Sequence, residues 1–191
     1  MKDIIYRNLN KSQVNIEKDV FDYGWYAFKQ YFIFLIIMIP LSAFTHSIIN
    51  FIFFIISFIP YRKHLGGFHF NNAILCTFFS ILFSIIIAIV LPVSINIELM
   101  DNMYFFKCGL IVFTLFFIIV YLIGPVDHPN KKLCEKEKQT FKQKALLTIV
   151  IEVFAFCLFF TINKKYASII LYATLFCLLN LLCGKIRMLF N

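Results

Sequence analysis

The chain has 191 residues, of which 61% are hydrophobic and only 15% are charged. Soluble domains are about 45–50% apolar, so this composition excludes a soluble globular protein and predicts one membrane-embedded domain over residues 1–191. The net charge of +8 is dispersed between hydrophobic segments. This dispersal indicates membrane topology rather than nucleic-acid binding.

Residues 1–29 mix acidic and basic side chains with apolar ones at partly helical spacing, and the segment ends near Tyr23, Trp25 and Tyr26. The pattern predicts an amphipathic helix at the membrane interface with an aromatic anchor. A solvated helix that leads into the first span is the alternative. Charged residues precede any apolar run, so no signal peptide is expected.

Residues 31–60 are almost continuously apolar. As one helix they would be about 45 Å long, whereas the hydrocarbon core is about 30 Å thick. A helical hairpin is therefore predicted, with Pro40 in its first limb and a polar turn at Thr45, His46 and Ser47. Each limb would have only about fifteen residues, which predicts a short or re-entrant hairpin.

Four full-length spans are predicted after the hairpin, at residues 73–91, 104–123, 145–162 and 167–183. Together with the two limbs they make about six hydrophobic helical segments in an all-α polytopic membrane protein.

The basic residues are unevenly distributed between the two sides of these segments. Fifteen Lys and Arg fall on one side, six of them in a basic loop at 124–144, whereas Lys164 and Lys165 fall on the other. By the positive-inside rule both termini are expected to be cytoplasmic.

The stretch 61–76, YRKHLGGFHFNNAILC, contains most of the chemistry in the chain. It combines a histidine and a cysteine, His69 and Cys76, which are the minimum for cysteine nucleophilic catalysis. Along a continuous helix their Cα atoms would be about 10 Å apart, too far for contact. If the pair Gly66-Gly67 keeps His69 in a loop and Asn71 or Asn72 caps a new helix, Cys76 lies near that helix N-terminus, where thiolate is favoured.

Other interpretations of these residues remain open. Cys76 could be a buried structural thiol, as is expected of the other five cysteines. His64, His69 and Cys76 could bind zinc, but the stretch has no fourth ligand and the histidine spacing is poor for one helical face, so no metal is predicted.

The supporting residues also have more than one interpretation each. Arg62 could stabilise an oxyanion, dock an acidic part of a substrate, or anchor the membrane boundary. Gly66 and Gly67 could present N–H groups to an oxyanion or form a tight turn. Glu152, an acid in the middle of a span, is either functional or hydrogen-bonded to a neighbouring helix.

At Arg62, His64, Gly67, His69 and Cys76 the sequence resembles the accessory gene regulator B (AgrB) family of bacterial membrane cysteine endopeptidases. The polar stretch 124–133 resembles the family's polar loop, apart from Lys132, where many members have proline. Another departure from the family pattern is the bulky Phe70, where a small residue is common after the histidine. The resemblance covers nearly the whole chain.

The resemblance implies a catalytic dyad of His69 and Cys76, with Arg62 and Gly67 also important. It implies cleavage of a small quorum-sensing propeptide, AgrD-like, and closure of a thiolactone or lactone ring through an acyl-enzyme. The site would lie at the cytoplasmic boundary of the bacterial cell membrane, and no cofactor is required. Lys131 and Lys132 are expected to attract the acidic part of the propeptide.

The alternative function is a small transporter or channel subunit, in which Arg62, His69 and Glu152 would line a substrate path. The spans show no obvious internal repeat, which disfavours it. Association of two copies into a homodimer is left open by the sequence.

Overall fold

The structure, a computed structural model, describes residues 6, 18–68, 73–94, 101–126 and 134–190. Within these ranges the chain is helical apart from short connections and contains no strand. The helices are α1 (Lys18–Phe44), α2 (Ile48–Leu65), α3 (Ala73–Ile85), α4 (Asn102–Ile123), α5 (Glu135–Ile162) and α6 (Lys164–Phe190). α3 continues through a π-helical segment, Ile86–Val90, and a final turn, Leu91–Ser94.

Five of these helices are long and apolar enough to cross a membrane, and the sixth, with its apolar part at Ile74–Val90, is shorter. These helices expose many large hydrophobic side chains on the outside of the bundle, as expected of helices that face lipid. The predicted all-α class with about six hydrophobic segments is therefore confirmed, and the chain is a multi-pass membrane protein.

The predicted hairpin is present, but its limbs are longer than expected. Ser47 N–H donates to the carbonyl of Ser42 at 2.8 Å across the turn between α1 and α2. α1 begins at Lys18, well before residue 31, and α2 continues through Pro60 to Leu65. Both limbs are therefore long enough to span the membrane. The segment 73–91, which was expected to be a full-length span, is instead the shorter apolar helix.

Stacked aromatic side chains explain why α1 extends so far toward the N-terminus. Trp25 stacks on Phe21 and on Phe28, with ring centroids 6.4 and 5.7 Å apart, and Phe28 stacks on Phe32 at 5.9 Å. This ladder follows the three- and four-residue spacing of one helix face. Residues 18–29, expected in an interfacial segment, thus continue into the first span, while residues 1–5 and 7–17 lie outside the described chain.

The centre of the bundle is formed by α2, α5 and α6, which pack against one another, and α4 packs on α5. Phe156 of α5 is fully buried beside Gly109 of α4, whose missing side chain leaves room for the ring. α3 packs mainly on α1, and the π-helical segment behind it contacts α2 and α6.

The connections fall at two ends of the bundle. At one end Lys164 donates to Asn102 and Phe53 stacks on Tyr166 at 4.6 Å, which places the starts of α2, α4 and α6 together. At the other end the amide of Val126, after α4, reaches the carbonyl of Leu65, at the end of α2. The helices therefore alternate in direction, as successive spans must.

Candidate functional site

The two polar stretches singled out from the sequence meet at the end of α2. Val126 N–H donates to Leu65 C=O at 2.9 Å. Gly66, which follows Leu65, has a φ of +70°, and a Cβ atom there would lie 2.7 Å from the carbonyl oxygen of Val126. Glycine is required at this position because both the backbone angle and the close approach exclude a side chain.

Arg62 holds the loop that follows. Its Nη1 donates to Asn180 Oδ1 at 2.7 Å and to the carbonyl oxygen of Gly66 at 3.4 Å, and its Nη2 donates to the carbonyl oxygen of Phe68 at 3.2 Å. Hydrogen bonds from a charged donor are worth about 1.5–3 kcal/mol. The guanidinium group thus ties the last turn of α2, the loop and α6 together, a role that none of the three sequence interpretations included.

Gly67 completes the turn. Its φ is +125°, and a Cβ atom would meet Asn180 Oδ1 and come within 3.0 Å of Arg62 Nη1. A side chain would therefore disrupt the Arg62–Asn180 contact as well as strain the backbone. This geometry gives the glycine pair the tight-turn role.

Cys76 lies in the first turn of α3, as expected from the sequence, and is 8% exposed. Its carbonyl oxygen accepts from Ser80 Oγ at 2.9 Å, and the carbonyl of Ser80 accepts from Ser84 Oγ at 2.7 Å. The thiol is therefore buried at the N-terminal end of α3.

Several residues of the predicted site fall outside the described chain. They are His69, Asn71, Asn72, Lys131 and Lys132. The nearest described residues are Phe68 and Ala73 on either side of the first gap, and Val126 and Cys134 on either side of the second.

The ring of His64 lies 5.9 Å from that of Phe141 in α5. Its Nδ1 is buried and has no hydrogen-bond partner among the described residues. Within the same residues no group of three His, Cys, Asp or Glu side chains could hold a metal ion.

Glu152 makes an interhelical hydrogen bond near the middle of the bundle. The carboxyl group is 6% exposed, and Oε2 accepts from Thr174 Oγ1 of α6 at 3.0 Å. The hydroxyl groups of Ser57 and Tyr61 of α2 face the same carboxyl group. Of the two sequence interpretations of Glu152, the structure contains the helix–helix contact.

The sequence interpretation missed Asn180, Gly184 and Thr174. Asn180 is an isolated amide within the apolar run at 167–183, and a polar group at membrane depth is costly enough to be a functional candidate. This signal alone would have identified Asn180 as a candidate. It would not have revealed that Asn180 contacts Arg62 and Phe68.

The fold and the site define a polytopic helical membrane protein with a buried cysteine at a helix start and a glycine loop anchored close to it in the chain. Residues 1–181 match the sequence model of the accessory gene regulator B (AgrB) family, and the chain belongs to that family. Membership implies involvement in quorum-sensing propeptide processing, with an AgrD-like peptide as substrate, in a membrane.

The relatives are distant. A provisionally named AgrB-like protein 2 of Clostridium perfringens (strain 13 / Type A) is 28% identical over 167 residues, which cover 85% of this chain and 78% of the relative. A provisionally named AgrB-like protein of Clostridium perfringens (strain SM101 / Type A) is 28% identical over 141 residues, covering 73% of this chain and 65% of the relative. No solved structure matches the chain.

Proposed function

We propose that this chain is a membrane cysteine endopeptidase that cleaves an AgrD-like propeptide, with Cys76 as the nucleophile and His69 as its general base. The observation that carries the proposal is the buried position of Cys76 in the first turn of α3. Membership of the AgrB family supports it. A histidine seven residues earlier, after an anchored glycine loop, is the base that the local sequence offers.

In the proposed reaction His69 takes the thiol proton of Cys76 and the sulfur attacks the carbonyl carbon of one peptide bond. A carbon–sulfur bond forms and an oxyanion develops. The carbon–nitrogen bond then breaks, the proton passes to the leaving amine, and the peptide remains as a thioester on Cys76.

A thiol or hydroxyl group within the bound peptide then attacks the thioester and closes a thiolactone or lactone ring, which releases Cys76. Exclusion of water favours this capture over hydrolysis, and a site at the membrane edge is suited to that. The chemistry needs no metal or cofactor.

The charge distribution supports a cytoplasmic location for the end of the bundle that carries this site. Fifteen Lys and Arg belong to the segments at that end. Toward the opposite end lie Lys107, near the start of α4, and Lys164 and Lys165, at the start of α6. Since Arg62 is engaged by the loop, we assign contact with the acidic part of the propeptide mainly to Lys131 and Lys132.

The decisive experiment compares two cysteines that are equally buried. Cys76 is 8% exposed and Cys177 is 6% exposed. Each is changed to alanine, the variant is co-expressed with a tagged AgrD-like propeptide, and the products are identified by mass spectrometry. Cys76→Ala should abolish cleavage and Cys177→Ala should retain it. Normal cleavage by membrane-inserted Cys76→Ala would refute the proposed function.

A further inference from the structure

We propose that Asn180, with Gly184 one turn further along α6, is a positioning residue for the reaction. The pair fixes the backbone of Phe68, the residue that directly precedes His69. The inference rests on the proposed function, because it assumes that His69 acts on Cys76.

The side chain of Asn180 accepts two hydrogen bonds at one oxygen. Oδ1 accepts from Arg62 Nη1 at 2.7 Å and from Phe68 N–H at 2.8 Å. The backbone carbonyl of Asn180 accepts from the same Phe68 N–H at 3.1 Å. Because both partners are donors, the amide group must present its oxygen here. Asn180 therefore binds the loop directly and also orients the arginine that binds it.

Gly184 lets the loop backbone rest on the helix. A Cβ atom on Gly184 would lie 2.7 Å from the carbonyl carbon of Gly67 and 2.9 Å from the nitrogen of Phe68. Both atoms belong to the main chain, so relief would require movement of the loop or of α6. The absence of a side chain at this position is therefore part of how the loop is held.

Phe68 is contacted at its amide, its carbonyl and its ring. Its carbonyl oxygen accepts from Arg62 Nη2 at 3.2 Å, and the guanidinium carbon of Arg187 lies 5.3 Å from its ring centroid. Asn180, Gly184 and Arg187 are spaced by four and three residues, so they lie on one face of α6. That face forms a platform for Phe68.

Anchoring of this kind matters because proton transfer depends on distance. A general base must come within about 2.6–3.2 Å of the atom that carries the proton. A displacement of about 1 Å can lower a rate about 100-fold. Consecutive Cα atoms are about 3.8 Å apart, so a fixed Phe68 restricts where the following residue can lie.

The test measures the reactivity of the thiol rather than the turnover of a substrate. In a protein whose only cysteine is Cys76, reconstituted in lipid vesicles, alkylation by iodoacetamide is followed as a function of pH. Loss of the base in His69→Ala should move the profile toward that of an ordinary thiol, which ionises at about pH 8.5. The rate at pH 7 should fall about tenfold.

Asn180→Ala should shift the profile in the same direction as His69→Ala. Asn180→Asp should restore it, because a carboxylate keeps an acceptor for both donors. A residue needed only for folding would lower the amount of protein in the membrane and leave the profile of the folded fraction unchanged. The rescue by aspartate keeps the test valid even if the alanine variant is poorly made.

Gly184→Ala supplies a second test with a matched control. Alanine is a better helix former than glycine, so a loss of reactivity in this variant would come from displacement of the loop. The control is Gly24→Ala in α1, where a Cβ atom would meet nothing within 4 Å. We expect Gly184→Ala to follow Asn180→Ala, and Gly24→Ala to match the unaltered protein.

The outcomes separate this inference from the proposed function. If His69→Ala shifts the profile while Asn180→Ala and Gly184→Ala leave it unchanged, the positioning role is refuted and the proposed function stands. If His69→Ala has no effect, the proposed base is refuted and the inference falls with it.

Discussion

Replacement of Thr174 by valine tests whether the buried polar contact between α5 and α6 stabilises the bundle. Valine keeps the shape of threonine and removes the hydroxyl group that donates to Glu152 Oε2 at 3.0 Å. Hydrogen bonds between membrane helices average about 0.6 kcal/mol and reach about 1.7 kcal/mol. Thr174 is fully buried and Glu152 is 6% exposed, so we expect a loss of about 1–1.5 kcal/mol, in the upper part of that range.

Thr114→Val is the matched control. The single hydroxyl proton of Thr174 is shared between Glu152 and the carbonyl oxygen of Ile170, which lies 2.9 Å from Oγ1. Thr114 Oγ1 donates to the carbonyl oxygen of Leu110 within α4 at 2.8 Å. Thr114 is exposed on the outside of the bundle. The difference between the two variants therefore isolates the contact with Glu152.

The measurement is reversible unfolding in mixed micelles, followed by circular dichroism, for a double-mutant cycle of Thr174→Val and Glu152→Leu. The coupling free energy should be about 1 kcal/mol. A coupling below about 0.3 kcal/mol would show that the two groups are neighbours without a stabilising interaction.

Three further predictions concern other parts of the molecule. Neutralising Lys131 and Lys132 together should weaken co-purification of an AgrD-like propeptide with the Cys76→Ala protein, more at low salt than at high salt, since exposed charges are screened over about 8–10 Å at physiological ionic strength; unchanged capture at low salt would assign these lysines to topology alone. Cleavage should survive a metal chelator and fail in His69→Ala. If a chelator abolished cleavage and added zinc restored it, a metal site would be supported instead. Gly109→Ala should lower stability by about 1–3 kcal/mol, because a methyl group there meets the ring of Phe156, and an unfolding midpoint equal to that of the unaltered protein would contradict this packing.

The local features of the fold could be predicted because they depend on short stretches of sequence. Hydrophobic runs separated by polar turns gave the six helical segments, and the polar residues at 45–47 gave the first turn. The expected lengths of the hairpin limbs failed for a physical reason. The predicted hairpin ended at Pro60, whereas α2 continues through this proline to Leu65, and α1 begins among the mixed polar and apolar residues before residue 31.

The contacts that organise the candidate site could not be predicted in this way. Asn180 lies 118 residues from Arg62 and 112 residues from Phe68 in the chain, and hydrophobic periodicity contains no information about which distant helices become neighbours. Glu152 was identified as an unusual buried acid, but its partner Thr174 is on another helix. Sequence reasoning thus found groups that need partners without finding the partners.

The structure explains how those partners are organised, because they share one face of α6. The residues on this face follow one another at intervals of three or four: Thr174, Cys177, Asn180, Gly184 and Arg187. Near its middle the face binds the acid of α5, and toward its end it binds the glycine loop. Arg62, near the end of α2, binds Asn180 on this face, while the adjacent Tyr61 is fully buried beside Glu152 of α5. The end of α2 is therefore hydrogen-bonded to α6 through Arg62 and packed against α5 through Tyr61.

Cys76 belongs to a differently packed part of the bundle. α3 packs mainly on α1, and the π-helical segment that follows it contacts α2 and α6. Phe83 of α3 also packs on Phe176 of α6, with ring centroids 4.6 Å apart. π-helical turns frequently occur at functional sites, where they interrupt the regular hydrogen bonding of a helix. The anchored loop and the helix that carries the thiol thus both contact α6, the loop at Asn180 and Gly184 and the helix at Phe176. Because the two contacts use different residues of α6, replacement of Asn180 should disturb the loop, whereas replacement of Phe176 should disturb the packing of α3 and with it the position of Cys76.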